Sequence, residues 1–459
     1  MSNNPYRLDW VPTLPGEKKN ISIALADAIA ADIRNGRLKA GQKLPPQRLL
    51  AYTMGLNLGT VHKAYKTAAK RRLIAGEVGR GSFVRDDARN NILWPNENPY
   101  ARAIDFCDNF PCPIRKTDPF QRALNALAKA PNLSQLLQYQ QNSARDDHKA
   151  LGAAWIGRFG VKAEPPNVLI ANGAIHAGFI SLCSLCRPGD TIVTEALTSQ
   201  AIKGTAETLN LRLKGAAMDK EGVIPEALEE ILRTNKVSAV YLAPTLHNPT
   251  ASTLPSARRR RIAALLDKHG VSLIEDDTFA PLLDKAIQPL SSFIPERSFY
   301  IAGLSKALAP GLRLAFLKAP TAFYQNALDI LRLTTWLASP LLIELAGRLL
   351  VTGEAEAVIR QHRRDIAARQ DIAKRVLKGY KAVIRPGAPH IWLPLPDPWR
   401  AAQFKEALAK REVNALSSDA FAVNRNNPVH AVRLCLGTPP SLAVVTEGLR
   451  IVKETLLRR

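Results

Sequence analysis

At 459 residues and 46% hydrophobic side chains, the chain can build two or three domains with cores of their own, so a soluble globular protein is expected rather than a disordered one. Its formal net charge of +23 points to a polyanionic partner, nucleic acid or a membrane surface. No stretch reaches the roughly eighteen uninterrupted apolar residues of a membrane span, and the opening MSNNPYRLDW lacks the apolar centre of a signal peptide, so a cytoplasmic location with no membrane partner is expected.

The charge is densest at the start, where residues 1–90 carry 16 Lys/Arg against 7 Asp/Glu. Ile21–Asn35 has apolar residues on one helical face, with Gly36 placed to end it. Pro45-Pro46 closes the next stretch. Gln47–Met54 then reads as a short helix, Gly55-Leu56-Asn57 as a turn, and Leu58–Arg72 as a helix capped by Asn57. Leu73–Ala75 and Ser82–Arg85 flank GEVGRG as a two-stranded wing. Helix, tight turn and basic helix form a helix-turn-helix pattern. Lys63, Lys66, Lys70, Arg71 and Arg72 are either a solvated face or phosphate contacts, and their place in the motif favours phosphate.

The segments GRLKAGQKLPPQRLLA, GLNLGTVHKAY and VGRGSFV together resemble the GntR-type winged helix-turn-helix. That resemblance implies binding to double-stranded DNA, with Arg48, Thr60, His62 and Lys63 on the two helices and Arg80 and Gly81 at the wing tip as contacts. Leu58 departs from the family, which usually places an arginine there. The head is thus assigned to residues 1–85, and Asp86–Ile104, with two prolines, four asparagines and no period, reads as a linker.

From Val168 onward, apolar strands (VLIA, TIVT, AVYLA, VSLIED, SFYIA) alternate with helical stretches, which predicts an α/β domain: a mostly parallel sheet with helices on both faces. In such sheets ligands sit beyond the carboxyl ends of the strands. Cys183 and Cys186 form a C-x-x-C, but their apolar spacing reads as a buried helix. With five cysteines and no export signal, neither a disulfide framework nor a metal site is expected. Four polar motifs fall at strand ends. NGAIHAG would turn the backbone N–H groups of Gly173, Ala174 and Ile175 toward a phosphate, APTLHNPT holds Asn248, IEDDTF holds Asp276, and GLSKALAPGLR holds Ser305, Lys306 and Arg313.

Together these motifs resemble the fold type I, class I aminotransferases that use pyridoxal phosphate (PLP), and their fusion to a GntR-type head resembles the MocR regulators. The likeness runs on through HIWLPLPDPW and VRLCLG, which imply a smaller α+β C-terminal subdomain over about 345–459 within a domain spanning 105–459. By this resemblance Lys306 forms the imine with the PLP aldehyde, Asp276 holds the pyridinium proton and Asn248 donates to the ring O3′. Ser305 and Arg313 bind the phosphate with the amides of residues 173–175, Arg433 takes an effector's α-carboxylate, and the molecule is a homodimer.

Four departures from the family pattern stand out. Ser199 occupies the place of the ring-stacking aromatic, Phe279 that of a tyrosine, Gly303 that of a serine and Ile175 that of a glutamine. A lysine, aspartate, asparagine and arginine without the groups that grip the ring suit a binding site better than a turnover site. The expected function is a DNA-binding transcription regulator whose PLP domain senses a small amino compound or PLP itself, an amine displacing Lys306 from the aldehyde. The alternatives are a working aminotransferase carrying a DNA-binding head, and a regulator whose large domain no longer binds PLP.

Overall fold

The computed structural model describes residues 8–14, 21–39, 41–71, 73–77, 81–85, 103–114, 117–140, 144–424 and 429–458. Arg72 and Arg80 lie outside these residues, as does the expected linker up to residue 102. The chain divides into two units, one of residues 1–104 with 393–432 and 451–459, the other of residues 105–392 with 433–450.

In the first unit the head consists of α1 (Ile21–Arg34), α2 (Gln47–Thr53), α3 (Leu58–Lys70), β1 (Ile74–Glu77) and β2 (Gly81–Val84). Asn57 caps α3, its Oδ1 accepting from the Gly59 N–H at 2.8 Å, and Val61, Ala64, Tyr65 and Ala68 form the buried face of that helix. Those residues meet Leu25, Ile29 and Ile33 of α1 and Leu50 of α2 in one apolar core. Tyr65 also donates to the Pro45 carbonyl at 2.8 Å, which ties α3 to the turn before α2. The wing strands are antiparallel, Ile74 opposite Val84 and Glu77 opposite Gly81.

The second unit is built on a seven-stranded sheet. In chain order its members are β3 (Val168–Ala171), followed by helix α4 (Ala174–Leu185), β4 (Thr191–Glu195), helix α5 (Gln200–Thr208), β5 (Arg212–Ala216), β6 (Ala239–Leu242), β7 (Ser272–Asp276), β8 (Ser298–Gly303) and β9 (Ala315–Lys318). The spatial order is β3-β9-β8-β7-β6-β4-β5, parallel except at β9, which is antiparallel to both its neighbours. Side chains alternate across the sheet as the pleat requires: Tyr300 and Ala302 enter one core with Val168, Ile170 and Phe316, while Phe299 and Ile301 enter the other with Leu169, Ala171 and Leu317. Both faces are covered, which is why these strands read as unbroken apolar runs.

Toward the C-terminus, β10 (His390–Pro394), helix α6 (Ala401–Ala409), β11 (Leu416–Ser417) and β12 (Ala431–Cys435) follow, with the strands in the order β10-β12-β11. The chain ends in helix α7 (Leu442–Leu457). Among the described residues no single helix is long and apolar enough to cross a membrane.

Candidate cofactor site and nucleic-acid interface

The turn from β3 into α4 places Gly173 at φ +90°, a conformation that disfavours any side chain. A Cβ there would also lie 2.8 Å from Nη2 of Arg313. Arg313 itself is held at φ +48° after the turn Pro310–Leu312, with its guanidinium against the start of α4. Ser305 is buried and its Oγ has no hydrogen-bond partner among the described residues. An arginine fork, the first N–H groups of a twelve-residue helix and an unpaired hydroxyl are the donors a phosphate dianion needs. Ala174 and Ile175 form the first turn of α4, and Ile175 is exposed.

Lys306 follows β8. Its Nζ donates to the carbonyl of Asn109 and lies 5.7 Å from the centre of the Phe110 ring. Burial pushes its amine down to about 8, helped by Arg433 and Arg313 and opposed by Cys435 and Asp108. Roughly a tenth of the amine is therefore unprotonated near pH 7, against well under a hundredth for an ordinary lysine, which favours it as a nucleophile.

At the end of β7, Asp276 receives two hydroxyl hydrogen bonds, from Tyr241 to Oδ2 at 2.6 Å and from Thr278 to Oδ1 at 2.6 Å, and the Thr278 N–H adds a third at 3.2 Å. Burial and the neighbouring Asp276 hold the Tyr241 phenol well above its usual range, so it stays a donor. Glu195, buried at the end of β4 and accepting from the Ala243 N–H at 2.7 Å, is pushed up to about 7 by burial.

Arg433, on β12, donates to Asn248 Oδ1 at 2.6 Å and to the carbonyl of Cys107. A cation on Oδ1 orients the Asn248 amide so that its NH₂ group remains to donate elsewhere. Arg313 and Arg433 thus lie close enough to Lys306 to depress its amine, Arg433 also holds Asn248, and Asp276 ends the strand beside the one that leads to Lys306.

Two departures from the family pattern acquire local reasons. Ser199 is the N-cap of α5, its Oγ accepting from the Ile202 N–H at 3.4 Å. At Gly303 a Cβ would lie 2.9 Å from Thr278, so the threonine that holds Asp276 fills the space a serine would need. Phe279 packs at 5.9 Å from the ring of His390, which burial pushes down to about 3. Neutral His390 spans the His247 carbonyl and the Asn109 amide, both at 3.0 Å. Cys107, Asn109, Phe110 and Tyr241 are site neighbours that no motif marked, and Thr278 and His390 fall inside IEDDTF and HIWLPLPDPW without being singled out there. Cys183 and Cys186 sit at the end of α4, with no disulfide.

In the head, a groove of about 860 Å³ opens between α2, α3 and the wing. Arg48, His62 and Gly81 line it together with Lys43, Gln47 and Leu58. His62 Nδ1 pairs with Gln47 Oε1 at 3.1 Å, linking the two helices at the groove floor. Thr60 and Lys63 lie on α3, Lys63 exposed. Leu58 is exposed at the groove, where the family usually offers an arginine. Arg71 is paired with Asp27 of α1 at 2.5 Å, so this member of the basic run is committed within the head.

Residues 22–84 match the model of the bacterial regulatory proteins of the gntR family, and residues 101–449 match that of the class I and II aminotransferases. The chain is 31% identical over 98% of its length, and 97% of the relative's, to the HTH-type transcriptional regulator YdeF of Bacillus subtilis. It is 30% identical, over 90% of its length and 93% of the relative's, to PtsJ of Salmonella typhimurium, named a vitamin B6 salvage pathway transcriptional repressor. Among solved structures, the kynurenine aminotransferase of Pyrococcus horikoshii, crystallised with PMP, superposes with a TM-score of 0.72 at 22% identity, covering 78% of this chain and 91% of that one. The chain therefore belongs to the HTH-type transcriptional regulators in which a GntR-type head precedes a class I and II aminotransferase domain, the MocR architecture.

Proposed function

We propose that this transcription regulator binds PLP in its aminotransferase-like domain, senses a small amino compound or PLP itself there, and changes its affinity for an operator in response. The proposed division is a DNA-binding head over 1–85, a linker over 86–104 and a PLP-binding domain over 105–459. The observation that carries the reading is that a depressed lysine amine, an arginine–glycine–serine phosphate cradle and a carboxylate accepting three hydrogen bonds all follow or end strands of one sheet.

The residues fit the three ends of PLP. Arg313, Ser305 and the amides of residues 173–175 would hold the phosphate, Asp276 would keep the proton of the ring nitrogen, and the Asn248 NH₂ group would donate to O3′. Lys306 would supply the amine for the aldehyde, and Arg433 would take the carboxylate of an incoming amino compound. Bound PLP supplies an aldehyde that condenses reversibly with amines. A cytoplasmic location follows from the DNA partner.

Homodimerisation is supported by an exposed apolar face next to the cradle. Leu333 is 86% and Tyr139 83% exposed, and Trp336 meets Tyr139 edge-on at 6.0 Å. Ile175 adjoins this face, since its neighbour His176 bonds Thr334 at 2.8 Å. Large exposed apolar groups gathered together mark association surfaces.

In this reading Tyr241 positions Asp276. Tyr241→Phe removes one charged hydrogen bond, about 1.5–3 kcal/mol, so PLP should leave roughly ten times faster or more. Its bound absorbance band should also move, which a purely packing role would not cause. Spectra recorded during dialysis check both.

DNA binding is tested with a duplex selected from random sequence by the full-length protein. Affinity should fall by about 10³ or more between 50 and 200 mM salt, and Lys63→Ala should weaken all duplexes alike. Salt-independent affinity would remove the basis for the head's assignment.

A further inference from the structure

Phe83 lies on wing strand β2, directly after Ser82, which borders the DNA groove. It is only 8% exposed, yet the head's apolar core gathers Ile74 and Val84 and not Phe83. Its cover comes from residue 400: the Arg400 guanidinium carbon stands 3.8 Å from the centre of the Phe83 ring, the distance of a stacked cation–π pair. A second contact reinforces it. Gly41, at φ +72° in the turn that pairs with β2, comes so close to α6 that a Cβ there would lie 3.3 Å from Ala402 Cβ and 3.2 Å from Gln403 Cγ. The seam is completed by Val84, Arg85, Asp419 and His430. A groove-facing residue and a seat-facing residue are thus consecutive on one short strand, so a wing cannot shift on its seat without shifting at the groove.

We propose that this seat, Arg400 and the start of α6 under Phe83 and Gly41, is an intramolecular docking surface for the wing, and that it is the joint through which the C-terminal region sets the head's DNA affinity. His430 at the seam directly precedes β12, the strand that three residues later carries Arg433, so the segment that answers to a bound carboxylate also borders the wing's seat. The transmitting role rests on the sensor reading above. The seat itself does not.

The test uses the full-length protein and Arg400→Lys, which keeps the charge but loses the flat stacking surface, so no phosphate attraction is removed. Phe83→Leu disturbs the same contact from the other side. Hydrogen exchange at residues 81–84 should rise roughly tenfold in both variants, with melting temperature and PLP absorbance unchanged. The ratio of DNA affinities with and without saturating PLP, measured on the selected duplex at fixed salt, should fall to one in both. Wild-type exchange at the wing in both variants would overturn the seat. Raised exchange with an undiminished affinity ratio would overturn the joint while leaving the sensor reading intact. A ratio of one already in the wild type, both with PLP alone and after addition of an amine that reacts with bound PLP, would overturn the sensor reading and the transmitting role together, with the seat then judged by exchange alone.

Discussion

Lys306→Ala is expected to abolish retention of PLP through dialysis and every PLP-dependent change in DNA affinity, while basal DNA binding at fixed salt stays within about twofold of wild type, because the head's core and groove contain no residue of the site. The wild-type lysine also sets a pH dependence. Its amine is pushed down to about 8, so the unprotonated fraction is about half at that pH and nearly complete about one unit above it. Capture of PLP by the PLP-free protein should accelerate up to about pH 9 and then level off, where an ordinary lysine would continue to gain reactivity to beyond 10. Stopped-flow absorbance follows the capture directly. A variant that kept both PLP and responsiveness would show that another amine is the attachment point.

Deleting residues 1–85 is expected to have the larger effect on DNA, a loss of about 10³-fold or more on the selected duplex, since the groove and the cationic α3 both go. The remaining chain should still take up PLP with the wild-type spectrum. The deletion also uncovers the Arg400 face that Phe83 covers, so a modest loss of solubility accompanies it. Fluorescence anisotropy with labelled duplex gives the first result and absorbance the second. Residual DNA affinity close to wild type would move the nucleic-acid interface away from the head.

Much of this was legible in the sequence because the local signals agree with the fold. Asn57 before an apolar-periodic run, Gly36 and Gly55 at helix ends and the glycine-rich wing turn each specify one backbone geometry, and α1 to α3 lie where they predict. The five strands read from apolar runs are sheet members because both their faces are covered. Two further members were not legible: edge strand β5, RLKGA, is half polar, and β9, AFLK, is too short to stand out. At the site, residues at strand ends carried a pattern, while Asn109 and Phe110 reach Lys306 from 197 and 196 positions away with none. Tyr241 was hidden inside an apolar run whose other members serve only the core, and nothing local to it points to Asp276. Ser199 shows the opposite effect. It was conspicuous as a missing aromatic, but the residue present has its own task as a helix cap, worth about 1 kcal/mol. Restoring an aromatic there therefore costs α5 its cap.

The central claim, that one chain reads the state of a PLP site and reports it at DNA, is tested most directly by titrating PLP into the PLP-free wild type and following absorbance and duplex anisotropy in the same sample. The account predicts that DNA affinity changes with PLP along the same curve as the absorbance, and that addition of an amine that reacts with bound PLP moves both together. Absorbance that saturates while DNA affinity stays flat, with and without the amine, would contradict it.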